Sequence, residues 1–308
     1  MAKYILKRLL LAIPVLIGVT FIVFTIMSFT PSDPVLVYLG DNYTQEAYDE
    51  ISEQLGLNDP FLVRYVKYVA SAAQGDLGTS YSTKRAVASE IFARFPATVK
   101  LAGAAIFLAV LFGVPLGVIS ATKQYSIFDS SSMFVALFGV SMPNFWLGIM
   151  LILLFAAGLG WFPSSGDKGL ISLVLPAITL SANSLATITR MTRSSMLETI
   201  RQDYIRTARA KGLRENVVII HHALRNAMIP VITSVGLQFG FALSGAVLVE
   251  TVFSWPGIGR LLVDAIKLKD TPLVLGVVVI MAVSFTIINL VIDILYAFFD
   301  PRIRTQYK

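Results

Sequence analysis

Six long stretches without any Asp, Glu, Lys or Arg limit what this chain can fold into. They are Leu9–Ser32, Leu101–Thr122, Ser130–Gly166, Gly169–Thr189, Asn226–Val249 and Thr271–Ile292. An α-helix needs about 20 apolar residues to cross the hydrocarbon core of a bilayer, and each stretch is long enough. Backbone polar groups in lipid must bond within their own segment or in a closed barrel, and a barrel would show short alternating strands instead. The stretches therefore predict transmembrane helices.

The overall composition agrees with a membrane protein. Of the 308 residues, 56% are hydrophobic and only 14% are charged, whereas a soluble domain carries about 25% charged residues. The sequence contains no Cys and two His, which excludes disulfide frameworks, Cys zinc sites, iron–sulfur clusters and thiol catalysis. The net charge of +6 comes from basic residues beside the apolar stretches. That placement indicates membrane orientation and not nucleic-acid binding.

The distribution of Lys and Arg predicts which side of the membrane each connection occupies. Basic residues precede the first stretch and follow the last. The segment from Arg190 to Arg225 contains eight Lys or Arg residues and only three acidic residues. Segments rich in Lys and Arg stay in the cytoplasm, so both termini and the basic segment at 190–225 should lie on the same side of the membrane. Six crossings satisfy this condition and seven do not. The 37-residue stretch Ser130–Gly166 then counts as one span whose first part extends to the interface. Both termini are predicted to be cytoplasmic, and the acidic segment after the first span external.

These arguments predict one all-α transmembrane domain over residues 1–308. Its six spans are expected at about 9–30, 98–122, 130–160, 169–190, 227–249 and 272–296, with an external helical segment at 31–95 and a cytoplasmic segment at 190–226. Within the external segment, Thr44 predicts the cap of a helix that ends before Gly56. Pro60 predicts the start of a second helix, which stops at Gly75. The first apolar run exceeds the 7–15 residues of a signal-peptide core, so it is expected to remain as a span.

The cytoplasmic segment has the pattern of a short amphipathic helix. Apolar side chains recur at every fourth position: Met196, Ile200, Tyr204 and Ala208. They predict one apolar stripe, with the arginines of the segment on other faces. Gly212 predicts a left-handed stop at the end of this helix. Such a basic helix is suited either to docking on a partner protein or to lying on anionic lipid.

One stretch of this segment resembles the cytoplasmic motif of binding-protein-dependent ABC importer permeases: Asp203-Tyr204-Ile205-Arg206-Thr207-Ala208-Arg209-Ala210-Lys211-Gly212, followed by His222-Ala223-Leu224-Arg225-Asn226-Ala227 and Pro230. Other stretches are similar to the first permease subunit of the peptide and nickel subfamily: Pro31-Ser32-Asp33-Pro34, Gly75-Asp76-Leu77-Gly78, Phe253-Ser254-Trp255-Pro256-Gly257 and Asp300-Pro301-Arg302-Ile303-Arg304. The general motif of these permeases has a Glu where this chain has Arg206. An ion pair assumed from the general motif therefore does not carry over.

The resemblance implies a type I ABC importer permease that transports di- or oligopeptides and catalyses no reaction itself. Nickel or glutathione import is the alternative within the same subfamily. Residues Asp203 to Gly212 would dock into an ATPase subunit and transmit its closure to the spans. The implied partners are a second homologous permease, two cytoplasmic ABC ATPases that use ATP and Mg, an extracytoplasmic substrate-binding protein or lipoprotein, and membrane lipid. The implied location is the cytoplasmic membrane of a bacterium or archaeon.

The resemblance implies no cofactor, metal or nucleic acid for this chain. The sequence has no Walker A motif, so ATP hydrolysis is expected on separate subunits. Polar residues within the spans, Asn144, Asn183 and Gln238, either line the pathway or form hydrogen bonds between helices.

Two rival functions remain open on the sequence. An ion-driven secondary transporter would show inverted repeats and charge at mid-membrane, and the sequence displays neither pattern. A membrane anchor for an enzyme complex is less consistent with polar residues inside the spans.

Overall fold

The computed structural model describes residues 2–30, 33–40 and 43–299, which form helices and no β-strand. The helices are α1 (Ala2–Phe29), α2 (Pro34–Leu39), α3 (Gln45–Gln54), α4 (Phe61–Ala73), α5 (Val87–Thr122), α6 (Ile127–Ser141), α7 (Asn144–Leu151), α8 (Leu170–Ile200), α9 (Asp203–Ala210), α10 (Glu215–Val217), α11 (Arg225–Val252), α12 (Ile258–Lys267) and α13 (Thr271–Phe299). Two π-helical segments, Ile152–Gly158 and Val218–Leu224, follow α7 and α10. Pro31, Ser32 and the motif from Asp300 to Arg304 lie outside the described residues.

Five of the described helices are long and apolar enough to cross a membrane. They contain the segments Leu10–Phe29, Val87–Thr122, Leu170–Ile200, Glu215–Ser244 and Thr271–Ile292. A sixth crossing is available if α6 and α7, with the π-helical segment after α7, are taken as one bent span. The six predicted apolar stretches therefore correspond to six helical regions, and the all-α membrane fold predicted from the sequence is confirmed.

The span predicted at residues 130–160 is bent and is not one continuous helix. The chain bends by 102° between α6 and α7. Met142 is extended, with φ −90° and ψ 129°, and Pro143 follows it. A proline disfavours helical geometry in the residue before it and donates no backbone hydrogen bond, so the helix ends there.

Two other helices are longer than predicted. Helix α5 begins at Val87, so the last residues of the predicted external segment are the first turns of this helix and not a separate loop. Helix α8 continues to Ile200, ten residues past the expected end of its span at 190. The extension carries Arg193 and Met196 inside α8. The predicted short helices α3 and α4 are confirmed: the Thr44 hydroxyl accepts from the Ala47 amide at 3.2 Å, and Gly56 and Gly75 have left-handed φ values.

The described chain separates into two compact units. The first unit contains Ala2–Thr98 and Pro256–Thr286, and the second contains Val99–Trp255 and the chain from Ile287. Helices α5 and α13 each contribute residues to both units.

The first unit is built around α12 and the start of α13. Leu77, Val87, Ile91 and Ile258 belong to its buried cluster. Asp270 is also fully buried, where it accepts hydrogen bonds from the Ser80 hydroxyl at 2.6 Å and from the Ser82 amide and hydroxyl at 3.0 and 2.8 Å. These hydrogen bonds offset the cost of burying the Asp270 carboxylate. The loop before α5 is thereby fastened to the start of α13.

The second unit is arranged around α8, which packs against α6, α7 and α11. Its close contact with α5 depends on glycine. A Cβ added at Gly117 would lie 2.5 Å from the Cβ of Thr192, and one at Gly113 would lie 3.1 Å from the carbonyl oxygen of Leu185. The absence of a side chain at these two positions thus permits the close approach of α5 and α8.

Candidate functional site

The 190–226 segment folds back on itself just after α8. The amide of Gln202 donates to the carbonyl of Thr199 at 3.1 Å, and Gln202 then adopts an extended conformation before α9 begins at Asp203. Helix α9 ends at Ala210, and Gly212 follows with a φ of +77°. Glycine adopts this left-handed conformation without a steric cost, so it ends the helix, as the sequence predicts.

Helix α9 packs onto the end of α8 through two small or aliphatic side chains. Ile205 and Ala208 are buried in a cluster that also holds Met196, Val218 and Ala223. The cluster joins α9 to α8 and to the π-helical segment before α11. Because closely packed interiors transmit strain, a displacement of α9 is expected to affect these elements as well.

The predicted stripe of Met196, Ile200, Tyr204 and Ala208 is wrong as a single helical face. Arg201 ends α8, so the first two residues lie on one helix and the other two on the next. Tyr204 is 43% exposed, and its hydroxyl accepts a hydrogen bond from the Asn226 amide nitrogen at 2.9 Å. Ile205 takes the buried position that the four-residue spacing assigned to Tyr204.

The ten predicted ATPase-coupling residues divide into two sets. Ile205 and Ala208 face the interior of this chain and are not free to contact a partner. The other eight are exposed: Asp203, Tyr204, Arg206, Thr207, Arg209, Ala210, Lys211 and Gly212. At 100° per residue, Asp203, Thr207 and Ala210 fall opposite the buried pair. We call this outer surface of α9, formed by these eight residues, the α9 face.

One ion pair closes the end of α9. Arg209 donates to both oxygens of the Glu215 carboxylate, from Nε at 3.1 Å and from Nη2 at 2.6 Å. This pairing lowers the pKa of Glu215 below its ordinary value of 4.5. Because the folded pKa is the lower one, the pair stabilises the segment above that ordinary value and is lost as the pH falls through the folded pKa. Glu215 is 60% exposed, so the contribution is small.

A buried ion pair beside this segment was missed by the sequence reasoning. Asp129 accepts from Arg193 Nε at 2.8 Å and Nη2 at 2.9 Å, from the Tyr125 amide at 3.0 Å, and from the Ser120 hydroxyl. Asp129 is buried, whereas the Arg193 side chain is 25% exposed.

This ion pair connects three parts of the second unit. It joins the end of α5 and the start of α6 to the part of α8 that leads into α9. The sequence carried a signal, because Asp129 is the one acidic residue between positions 91 and 166.

The three polar residues predicted to line a pathway lie on three different helices of the second unit. Asn144 is half-buried at the start of α7, Asn183 is exposed on α8, and Gln238 is half-buried on α11. Whether they line a pathway stays a prediction.

Two family models match this chain. One is described as "Binding-protein-dependent transport system inner membrane component" and matches residues 113–305. The other, described as the N-terminal part of such a membrane component, matches residues 1–102.

Similar proteins cover almost the whole chain. A dipeptide transport system permease protein of Alkalihalophilus pseudofirmus is 45% identical over 99% of this chain and 100% of its own length. An oligopeptide transport system permease protein of Bacillus subtilis is 43% identical, over 98% and 99%. A glutathione transport system permease protein of Escherichia coli is 42% identical, over 99% of each.

The fold also has solved counterparts. A chain of the MetNI methionine ABC transporter, in an inward-facing conformation, superposes with a TM-score of 0.59 at 17% identity, over 68% of this chain and 95% of that one. At this identity the likeness concerns the fold alone, and it agrees with the type I importer permease fold that the motifs imply.

Proposed function

Since the chain belongs to the family of binding-protein-dependent transport system inner membrane components, we propose that it forms half of the pathway of an ATP-driven peptide importer. The observation that supports a peptide as the substrate is the identity of 45% with a dipeptide permease over almost the full length of the chain. Such a subunit carries no reaction chemistry of its own. It changes conformation so that a substrate released on one side of the membrane leaves on the other.

The α9 face is the proposed contact with the ATPase. It presents cations at Arg206 and Lys211, which attract an acidic cleft, and small side chains at Thr207 and Ala210, which permit close approach. Beneath it, Ile205 and Ala208 are packed on α8 and the segment before α11. A displacement of α9 caused by the ATPase is therefore transmitted through this packing to α8 and α11.

The ion pair of Asp129 and Arg193 extends this connection. It ties α8 to the end of α5 and to α6 close to the point where α8 leads into α9. We assign it a positioning role, because it holds the end of α5, the start of α6 and the last part of α8 together beside α9. The α9 face is thus proposed to dock the ATPase, and the buried contacts behind it to transmit the motion.

The proposed assembly contains a second homologous permease, two cytoplasmic ABC ATPases that bind ATP and Mg, and an external substrate-binding protein. Asn144, Asn183 and Gln238 are proposed to line the substrate pathway, which substitution to Ala would test through the Michaelis constant for uptake. The proposed location is the cytoplasmic membrane of a prokaryote, and the proposed arrangement is a single domain with six spans and both termini inside.

The orientation predicts which positions an impermeant maleimide reaches on intact cells. The sequence has no Cys, so single cysteines at Ser52, Ser165 and Thr207 report without background from this chain. We expect labelling at Ser52 and Ser165 and protection at Thr207. Labelling at Thr207 together with protection at Ser52 would invert the proposed orientation, and protection at Ser165 would require a different number of crossings.

The substrate is tested by competition. In cells that express the complete transporter as their one peptide importer, uptake of labelled dialanine is measured against unlabelled dialanine, glutathione and nickel–histidine. We expect dialanine to compete at a concentration about tenfold or more below that of glutathione, with no effect of nickel–histidine. Glutathione is the second candidate because of the 42% identical glutathione permease. Stronger competition by glutathione than by dialanine would replace the peptide assignment with that one.

A further inference from the structure

A cleft of about 620 Å³ opens within the first unit, between the loop after α3, helix α4 and the start of α13. Its apolar wall includes Phe24, Tyr68 and Leu275. Tyr81 completes the aromatic lining from the loop before α5. A volume in the range of about 300–1,000 Å³ with aromatic walls and a few polar groups is typical of a small-molecule site.

The charged groups of the cleft are of both signs and are not all paired with each other. Lys67 and Asp59 form an ion pair at 2.6 Å, and Asp76 accepts from the Gly78 amide at 2.9 Å. Glu53 and Arg64 also line the cleft. Within the described part of the chain, neither of these two side chains forms a salt bridge or a hydrogen bond.

Arg64 occupies a distinctive position in this unit. It is half-buried, and its guanidinium lies 5.9 Å from the centre of the Phe24 ring. It also lines an adjoining cleft of about 370 Å³ that contains Asp33 and Tyr48. A half-buried guanidinium without a carboxylate partner is well suited to bind the carboxylate of a ligand, because it can donate two parallel hydrogen bonds to it.

We propose that this cleft binds small zwitterionic peptides, with the C-terminal carboxylate on Arg64 and the N-terminal ammonium on Glu53. The aromatic wall then contacts the side chains without selecting among them. The proposal rests on the proposed function, which places this cleft on the side where the binding protein releases its peptide. A peptide held here would be kept near the pathway between release and transport.

The charge pattern favours this ligand over two others. A multivalent anion would be repelled by the carboxylates of Glu53, Asp59 and Asp76 around the single unpaired guanidinium. A protein segment inside a longer chain has no terminal carboxylate for Arg64 and no terminal ammonium for Glu53. It would need both an acidic and a basic side chain of its own to pair with them. A peptide of two or three residues carries one charge of each sign at its two ends, so it offers a partner to both Arg64 and Glu53.

The test uses a thiol in the cleft as its reporter. Ser71 lines the cleft and is exposed. Ser71→Cys adds one thiol to a subunit that otherwise has none. The maleimide labelling rate of this subunit is measured in the purified permease and ATPase complex, without binding protein, as dialanine is added. We expect saturable protection by dialanine, and about tenfold weaker protection by its C-terminal amide or in the Arg64→Gln variant.

Two matched controls accompany this measurement. Ser165→Cys lies in the second unit, so dialanine is expected to leave its labelling rate unchanged. Arg85→Gln removes an exposed arginine of the first unit that does not line the cleft, and protection should persist in that variant.

Absence of protection at Ser71→Cys, or equal protection with Arg64→Gln, would overturn the proposed site. In a parallel measurement with binding protein added, protection that requires this protein and does not depend on dialanine would overturn the peptide site and assign the cleft to protein docking instead. Uptake of dialanine by the same complex with binding protein separates the two claims. If uptake occurs and protection does not, only the cleft is refuted, whereas failure of uptake refutes the peptide importer itself.

Discussion

Replacement of Asp129 by Ala is expected to lower the free energy of unfolding of the permease by about 3 kcal/mol. The substitution leaves the Arg193 guanidinium, which now makes a bidentate contact, without its carboxylate in a largely buried place. Breaking a buried pair from one side costs about 3–5 kcal/mol, and the partial exposure of Arg193 favours the lower value. The apparent melting temperature of the purified complex in detergent would fall by several degrees.

The matched control for this change is Glu215→Ala. Arg209 and Glu215 form an equally bidentate pair, but their side chains are 40% and 60% exposed. An exposed pair contributes about 0.2–1 kcal/mol, so the melting temperature should change little. If both variants melt together with the wild type, or if Glu215→Ala is the more destabilised, the structural weight given to Asp129 is wrong.

Substitution of Ala208 by Glu is expected to unfold the packing of α9 and abolish uptake. Ala208 is buried in the cluster with Ile205 and Met196, where a carboxylate has no described partner. Burying such a charge costs on the order of 3 kcal/mol or more, and the segment would detach from α8 to let it reach water. Limited proteolysis of the purified complex should cut between residues 200 and 215 faster than in the wild type. A wild-type digestion pattern would contradict the packing of α9.

Much of the fold was predictable because apolar length and charge placement are strong local signals. The capped helices around Thr44 and Pro60 and the stop at Gly212 follow from backbone rules that need no tertiary context. The extension of α8 through Arg193 was not predictable in the same way. Charges in that stretch indicated the end of a membrane span, but a helix can continue past the lipid as long as its polar residues find water or partners.

The bend at Met142 had a visible cause that the sequence argument did not use. Pro143 stands in the middle of the 37-residue apolar stretch, and the residue before a proline avoids the helical region. Length and charge alone indicated one span, whereas the backbone chemistry of this dipeptide divides the region into two helices.

The sequence correctly predicted the position of α9 in the chain but not which of its side chains are buried. The motif located α9 correctly, but a four-residue spacing continued from α8 assigned Tyr204 to the buried face. The turn at Arg201 and Gln202 resets the helical phase, so Ile205 and Ala208 face inward instead. The partner of Asp129 was hidden for a different reason: Arg193 is 64 positions away, and only the packing of α6 on α8 brings the two together.

The central claim is that the α9 face docks a separate ATPase, and Ala210→Glu tests it most directly. Ala210 is exposed on the same helix as Ala208 and lies opposite the buried side. Because Glu is a good helix former, the fold should be unchanged. Co-purification of the ATPase and ATP-dependent uptake of dialanine are then measured with this variant. We expect a permease that melts and is digested like the wild type but retains little ATPase and does not transport. Wild-type ATPase retention and wild-type uptake in Ala210→Glu would contradict it.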